Sequence, residues 1–346
     1  MEGLNPLFSM VRDFLMQYLP IERKCSAHTV RSYQKALELF LDYIKTENNI
    51  PLSKVTFDMI DRNILSDFLN HLETTRKCSS TTRNHRLHSI RAFYNYAAEN
   101  NITLIAHWDE ILKVKPAKTA GKLVDHMSET AIGAIIATPD VTTKQGLRDM
   151  FMMLLLYRTG ARIQELLDIK ISDVQFGKSP IVTLRGKGAK VRAVPLRPNT
   201  ADHLKCYIEN FHPDESIYSN QFLFFTVRNG VKKRMTEDNA RNLIAKHGRT
   251  AQQNCTEVPD NVHPHLFRHS CAMSLYRSGV HLTLISQWLG HANLETTLIY
   301  AHADTEIKRK AIESAIPKET PLGNHTNSTR YIVDDEELLK KLCGLK

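Results

Sequence analysis

The sequence predicts a mainly α-helical protein of two domains, with one small β-hairpin in the second. Three observations predict it. Apolar residues recur at helical spacing through most of the chain, a polar and basic stretch divides it near residue 120, and one segment alone alternates like paired strands. At 346 residues the chain exceeds what one hydrophobic core usually covers, and its 42% apolar and 24% charged content is that of an ordered globular protein.

In the first domain, Leu37, Phe40, Leu41 and Ile44 form one helical stripe, and Ile90, Phe93, Tyr94 and Ala97 another. Two helices open alike, at Ser26-Ala27-His28-Thr29-Val30-Arg31 and at Ser80-Thr81-Thr82-Arg83-Asn84-His85-Arg86, where hydroxyls suited to N-capping precede arginines. Cations beside the free amides of a helix start suit phosphate contacts, so Arg31, Arg83, Arg86 and Arg91 form a group of DNA-binding candidates. Singly, each fits a solvated surface or a carboxylate pair as well. The helical pattern stops at Asn100-Asn101; residues 1–103 are assigned to this domain and 104–124 to a linker, of which the run from Lys113 to Lys122 is the clearest part.

Helical periods return in the second domain, 125–315. They are interrupted by Ile181–Arg185 and Val191–Leu196, two apolar runs around the glycine-bearing turn Gly186-Lys187-Gly188-Ala189-Lys190. Residues 316–346 read as a tail in which Asp334-Asp335-Glu336-Glu337-Leu338-Leu339-Lys340-Lys341-Leu342 carries acids first and lysines later, as a short helix prefers.

The formal charge of +9 favours a polyanionic partner. Six cysteines, at 25, 78, 206, 255, 271 and 343, contain no Cys-x-x-Cys pair, which argues against a disulfide framework and a thiolate zinc site and favours a reducing cytoplasm. His263, His265 and His269 lack the glutamate frame of a histidine metal site, so no metal is expected. The longest apolar run, Met150 to Tyr157, is too short to cross a bilayer, and the N-terminus shows no export signal.

Moving a phosphodiester without a metal requires a nucleophile, cationic donors for the nonbridging oxygens and an acid for the leaving alcohol. The second domain holds candidates for each. In Thr159-Gly160-Ala161-Arg162-Ile163-Gln164-Glu165 a glycine stop precedes a new helix at Arg162, with Glu165 one turn on, placed to orient the guanidinium or to make a plain surface pair. After Pro264, His265 and Arg268 share a helix face. Leu289-Gly290-His291 has a second glycine stop, and Tyr300 follows His291 by nine positions. Lys187 stands at the hairpin tip.

In this order and spacing, the residues from 8 to 315 resemble the tyrosine recombinases and phage-type integrases, which include the Xer and Cre recombinases. The resemblance implies a C-shaped, two-domain clamp on duplex DNA, with a helical core-binding domain and a mixed α/β catalytic domain. It implies that Arg162, Arg268 and His291 bind the scissile phosphate, that Tyr300 attacks to give a 3′-phosphotyrosine, that Lys187 protonates the leaving 5′ oxygen, and that His265 assists proton transfer at the tyrosine. It also implies no ATP, metal or other cofactor, and a monomer that assembles as a tetramer on two recombination sites and works through a Holliday junction. A directionality factor, and exchange of the C-terminal tail between protomers, belong to the same expectation. The task would be integration or excision of a mobile element, or resolution of a chromosome or plasmid. Two other readings are a noncatalytic DNA-binding regulator, favoured by an active Tyr300→Phe variant, and a type IB topoisomerase, favoured by relaxation of plasmids that lack any specific site.

Overall fold

The computed structural model describes residues 5–119, 125–186, 190–291 and 293–303 (for 302 and 303 the backbone only), together with Arg309, Glu336, Glu337 and Lys340. The chain divides into two compact units, residues 1–121 and 122–346.

The first unit is helical. Helix α1 (Pro6–Asp13) runs on into a wider π-helical coil, Phe14–Glu22, and is followed by α2 (Ala27–Asn48), α3 (Arg62–Thr74), α4 (Ser80–Asn100) and α5 (Ile105–Leu112). Both expected stripes face inward: Leu37, Phe40, Leu41 and Ile44 of α2, and Ile90, Phe93, Tyr94 and Ala97 of α4, are all buried. The serine caps form, with Ser26 accepting from the Thr29 amide and Ser79, one residue before the expected start, accepting from that of Thr82.

The stretch assigned to the linker requires correction. Helix α4 ends at Asn100 as expected, but the Asn101 side chain then accepts from the Thr103 amide and caps a new turn, so that α5 follows. Leu104, Ile111 and Val114 then bury themselves in the core of the first unit, which is why 104–114 belongs to that unit. Asn84 fastens the segment beyond, its amide bonding both the carbonyl and the N–H of Ala117.

The second unit opens with α6 (Glu129–Ile136), α7 (Lys144–Thr159) and α8 (Ile163–Leu167). Strands β1 (Val174–Gln175), β2 (Ile181–Arg185) and β3 (Val191–Pro195) make an antiparallel sheet in that order, with Thr183 opposite Ala193. Then come α9 (Pro198–Phe211), β4 (Phe225–Arg228), β5 (Val231–Arg234), α10 (Glu237–Gln252), α11 (Pro264–Arg277), α12 (Leu282–Leu289) and α13 (Glu295–Ala303). Phe151, Met152, Leu155 and Leu156 of α7 and Phe267 and Cys271 of α11 are central to its core.

The β4–β5 hairpin was not expected, because its strands are short and largely exposed, and only Phe225-Thr226-Val227-Arg228 alternates while Val231-Lys232-Lys233-Arg234 does not. Its signal is the Asn229-Gly230 pair, both at positive φ, the turn dipeptide that closes a tight hairpin. The tail helix expected around residues 334–342 lies outside the described residues except for Glu336, Glu337 and Lys340.

Candidate active site

Two glycine stops bring the site together. Gly160 ends α7 in the left-handed region (φ 59°), and a Cβ there would lie 2.8 Å from the Leu289 side chain. Gly290 ends α12 in the same way (φ 65°), which places His291 directly after the turn.

Arg162 caps α8 and is held twice by Glu165: its backbone N–H donates to Oε2 (2.9 Å) and its guanidinium to Oε1 (2.7 Å). Glu165 is buried at 3% exposure and also accepts from Arg192 of β3 at 2.7 Å. Burial would raise its pKa, but the hydrogen bond from Arg192 and those from Arg162 outweigh it and hold the carboxyl at about 2.

Pro264 opens α11, and Arg268 points into the unit. Its guanidinium donates to the carbonyls of Gly160 and Leu289, both at 2.6 Å, and so ties the two glycine stops together. Burial, and then repulsion from Arg162, lowers its pKa to about 10. His291 bonds through Nδ1 to the buried Thr297 hydroxyl at 2.8 Å; burial and the nearby Arg268 and Arg162 bring its pKa to about 4, so the imidazole is neutral at physiological pH.

Tyr300, on α13, is fully buried, and its hydroxyl lies 2.9 Å from Nδ1 of His269. Burial pushes the phenol up to about 12. Burial, then the neighbouring His265 and Arg268, take that imidazole down to about 4, so it is a neutral acceptor for the phenol proton.

Of the expected residues, Arg162, Glu165, Arg268, His291 and Tyr300 come together. His265 lies one turn before His269 at an exposed position, with the two rings 6.5 Å apart, and the hydroxyl partner of Tyr300 is His269. His269 was visible in the sequence as the residue after Arg268, but only as half of an i, i+4 histidine pair. Arg192 was missed altogether; the signal was a charged residue on the same strand face as Val194, which is fully buried. Lys187 lies outside the described residues; the turn that carries it closes with the Gly186 N–H donating to the Lys190 carbonyl at 2.7 Å.

The four arginines of the first unit separate. Arg31 is exposed, and Arg86 is half-buried and donates to the Ser32 carbonyl at 3.3 Å. Arg83, expected at a helix surface, is 8% exposed with its Nε 3.4 Å from a Glu73 carboxylate oxygen. Arg91 donates to the carbonyls of Leu112 and Val114 at the end of α5. Packing buries Arg83, and two carbonyls at the end of α5 take up the half-buried Arg91 guanidinium, so Arg31 and Arg86 are the better-placed DNA candidates.

Residues 125–306 match the Phage integrase family, and residues 12–101 match its N-terminal SAM-like domain. The chain is 32% identical over 313 residues to the tyrosine recombinase XerC of Staphylococcus aureus, covering 89% of this chain and 97% of that one. It is 29% identical over 333 residues to the putative integrase/recombinase y4rC of Sinorhizobium fredii, covering 96% of each. Two solved structures share the fold: the Tn1549 transposon integrase in complex with transposon right end DNA (TM-score 0.66, 19% identity, 90% of this chain and 99% of that one) and the XerH site-specific recombinase bound to palindromic difH substrate (TM-score 0.64, 21% identity, 90% and 89%).

Proposed function

The chain belongs to the phage integrase family of site-specific tyrosine recombinases, and from that premise we propose that Tyr300 cleaves duplex DNA at a specific site through a 3′-phosphotyrosine. The 122–346 unit carries the chemistry and the 1–121 unit contributes grip on the duplex through Arg31 and Arg86. The observation that carries this reading is the convergence of Arg162 and Arg192 on the Glu165 carboxylate with Arg268 and His291 close by, beside a tyrosine whose hydroxyl has a neutral imidazole as acceptor. That excess of cationic donors suits a phosphodiester whose nonbridging oxygens gain charge at the transition state.

Arg162, Arg268 and His291 hold the nonbridging oxygens. The Tyr300 oxygen forms a bond to phosphorus as the bond to the 5′ oxygen breaks; Lys187 protonates that oxygen, and the phenol proton passes to a histidine. A phenol held near pKa 12 is ionised to about one part in 10⁵ at pH 7, so the proton acceptor and the cations must act together. Because the hydroxyl is fully buried, α13 must move it outward to meet DNA. The energy of the broken bond is kept in the phosphotyrosine, and attack by a free 5′ hydroxyl rejoins the strand. Four protomers on two sites then exchange strands through a Holliday junction, without a cofactor, on DNA in the cytoplasm. Among the described residues no helix is long and apolar enough to cross a membrane.

A nicked suicide substrate, drawn from DNA flanking the gene, tests this. The wild-type chain should be trapped as a covalent adduct that peptide mapping places on Tyr300, and Tyr300→Phe should give none while still binding the site. An adduct on another residue, or none across the flanking sites, overturns the reading.

A further inference from the structure

Arg192 is an arginine on the inward face of a strand, with only 13% of its side chain exposed. Its guanidinium reaches two places at once. One Nη donates to Oε2 of Glu165 at 2.7 Å, and Nε donates to the Trp288 carbonyl, near the end of α12, at 2.8 Å. Glu165 in turn holds the backbone and the guanidinium of Arg162. The residues beside this fork are small where it needs room: a Cβ at Gly290 would lie 2.9 Å from a guanidinium nitrogen of Arg192, and one at Gly186 3.1 Å from Oε1 of Glu165.

We propose that Arg192 is a positioning residue for strand cleavage: it locks Glu165, and through it Arg162, to the Gly290-His291 turn, so that donors from two helices meet on one phosphate. This rests on the reading that Arg162 and His291 bind the scissile phosphate. An ion pair serving stability alone needs one contact to one carboxylate. Here the planar fork spans a carboxylate at the start of α8 and a carbonyl at the end of α12, a link that a single ammonium cannot make in both directions. The strand carrying Arg192 leads directly out of the turn that holds Lys187, so the hairpin is fixed at the same point.

Arg192→Lys and Arg192→Gln in the full chain test it, read by single-turnover adduct formation, equilibrium binding to the same DNA and thermal melting. Adduct formation should slow by about 10-fold for the lysine variant and about 100-fold for the glutamine, with DNA binding within about threefold, the pattern of misplaced transition-state donors. The rate–pH profile should also change. Glu165 is held ionised chiefly by Arg192, so in Arg192→Gln the rate should fall with decreasing pH from a higher pH than in wild type. The double variant Arg192→Lys with Glu165→Gln should be no slower than the slower single variant, because the two act through one contact. Rates that track lost thermal stability or lost binding, an unmoved acid limb, or multiplicative single effects overturn the proposal. If Arg192→Gln does not fold, the lysine variant and its double decide it. A wild-type chain that forms no adduct defeats the underlying reading; adduct formation by wild type that Arg192 variants match defeats the positioning role alone.

Discussion

The two units use their hydrogen-bonded arginines in opposite ways. In the first, each has its own neutralising or accepting partner: Arg83 has Glu73, and Arg91 has the carbonyls of Leu112 and Val114. In the second, Arg162, Arg192 and Arg268 crowd one another with Glu165 as the one carboxylate that bonds them among the described residues, their other acceptors being the uncharged carbonyls of Trp288, Gly160 and Leu289, which leaves an excess of two positive charges. At an effective dielectric near 20, two like charges about 8 Å apart repel by about 2 kcal/mol. A cluster that retains such repulsion is poor as a stabilising device and well suited to an anion that arrives later. Matched arginines fasten helices; surplus ones mark where charge is to be received.

The largest expected effect separates the two kinds directly. Arg268→Ala should lower the rate of adduct formation by about 10²–10³, as loss of a preorganised donor does, whereas Arg83→Ala should leave the rate per folded molecule unchanged and lower only the melting temperature. Comparable rate losses from both would dissolve the distinction. A smaller effect reads the surplus through its neighbours. Burial, with His265 and Arg268 beside His269 and Arg268 and Arg162 beside His291, holds both imidazoles near pKa 4, below the value of about 6.5 expected once unfolded. The unfolded chain therefore binds protons first, so the stability these imidazoles contribute is complete above about pH 6.5 and is lost as the pH falls toward 4. Melting curves from pH 8 to 4 should show that decline, and His291→Gln should flatten it; an unchanged slope would mean the imidazoles are not held neutral. The smallest effect lies in the first unit. Arg31→Ala should reduce the slope of log binding constant against log salt by about 1, while Arg83→Ala leaves it unaltered. Flattening by Arg83→Ala instead would place that side chain outside, on DNA.

Much of this was legible in the sequence because it depends on local rules. Apolar spacing located the stripes of α2 and α4, glycine located the stops at 160 and 290, and alternation around a five-residue turn located the β2–β3 hairpin. The misses share one cause: a residue whose role is set by something distant in the chain. Helix α5 exists because Leu104, Ile111 and Val114 have a core to enter, and Asn101, which reads as a stop, caps the turn that restarts the helix. The β4–β5 hairpin carries short, largely exposed strands, so only its Asn229-Gly230 turn announces it.

The site divides along the same line. Which chemical groups are present, and in what order, was readable along the chain, since Arg162, Arg268, His291 and Tyr300 stand beside helix starts and stops that short-range rules disclose. Packing between distant segments settled that His269 rather than His265 meets the Tyr300 hydroxyl, that Arg192 joins Glu165 to the end of α12, that Arg83 is buried, and that Arg91 bonds the end of α5. Those choices depend on which helices and strands pack together, and hydrogen bonds between residues 27 to 96 positions apart leave no period in the sequence to read.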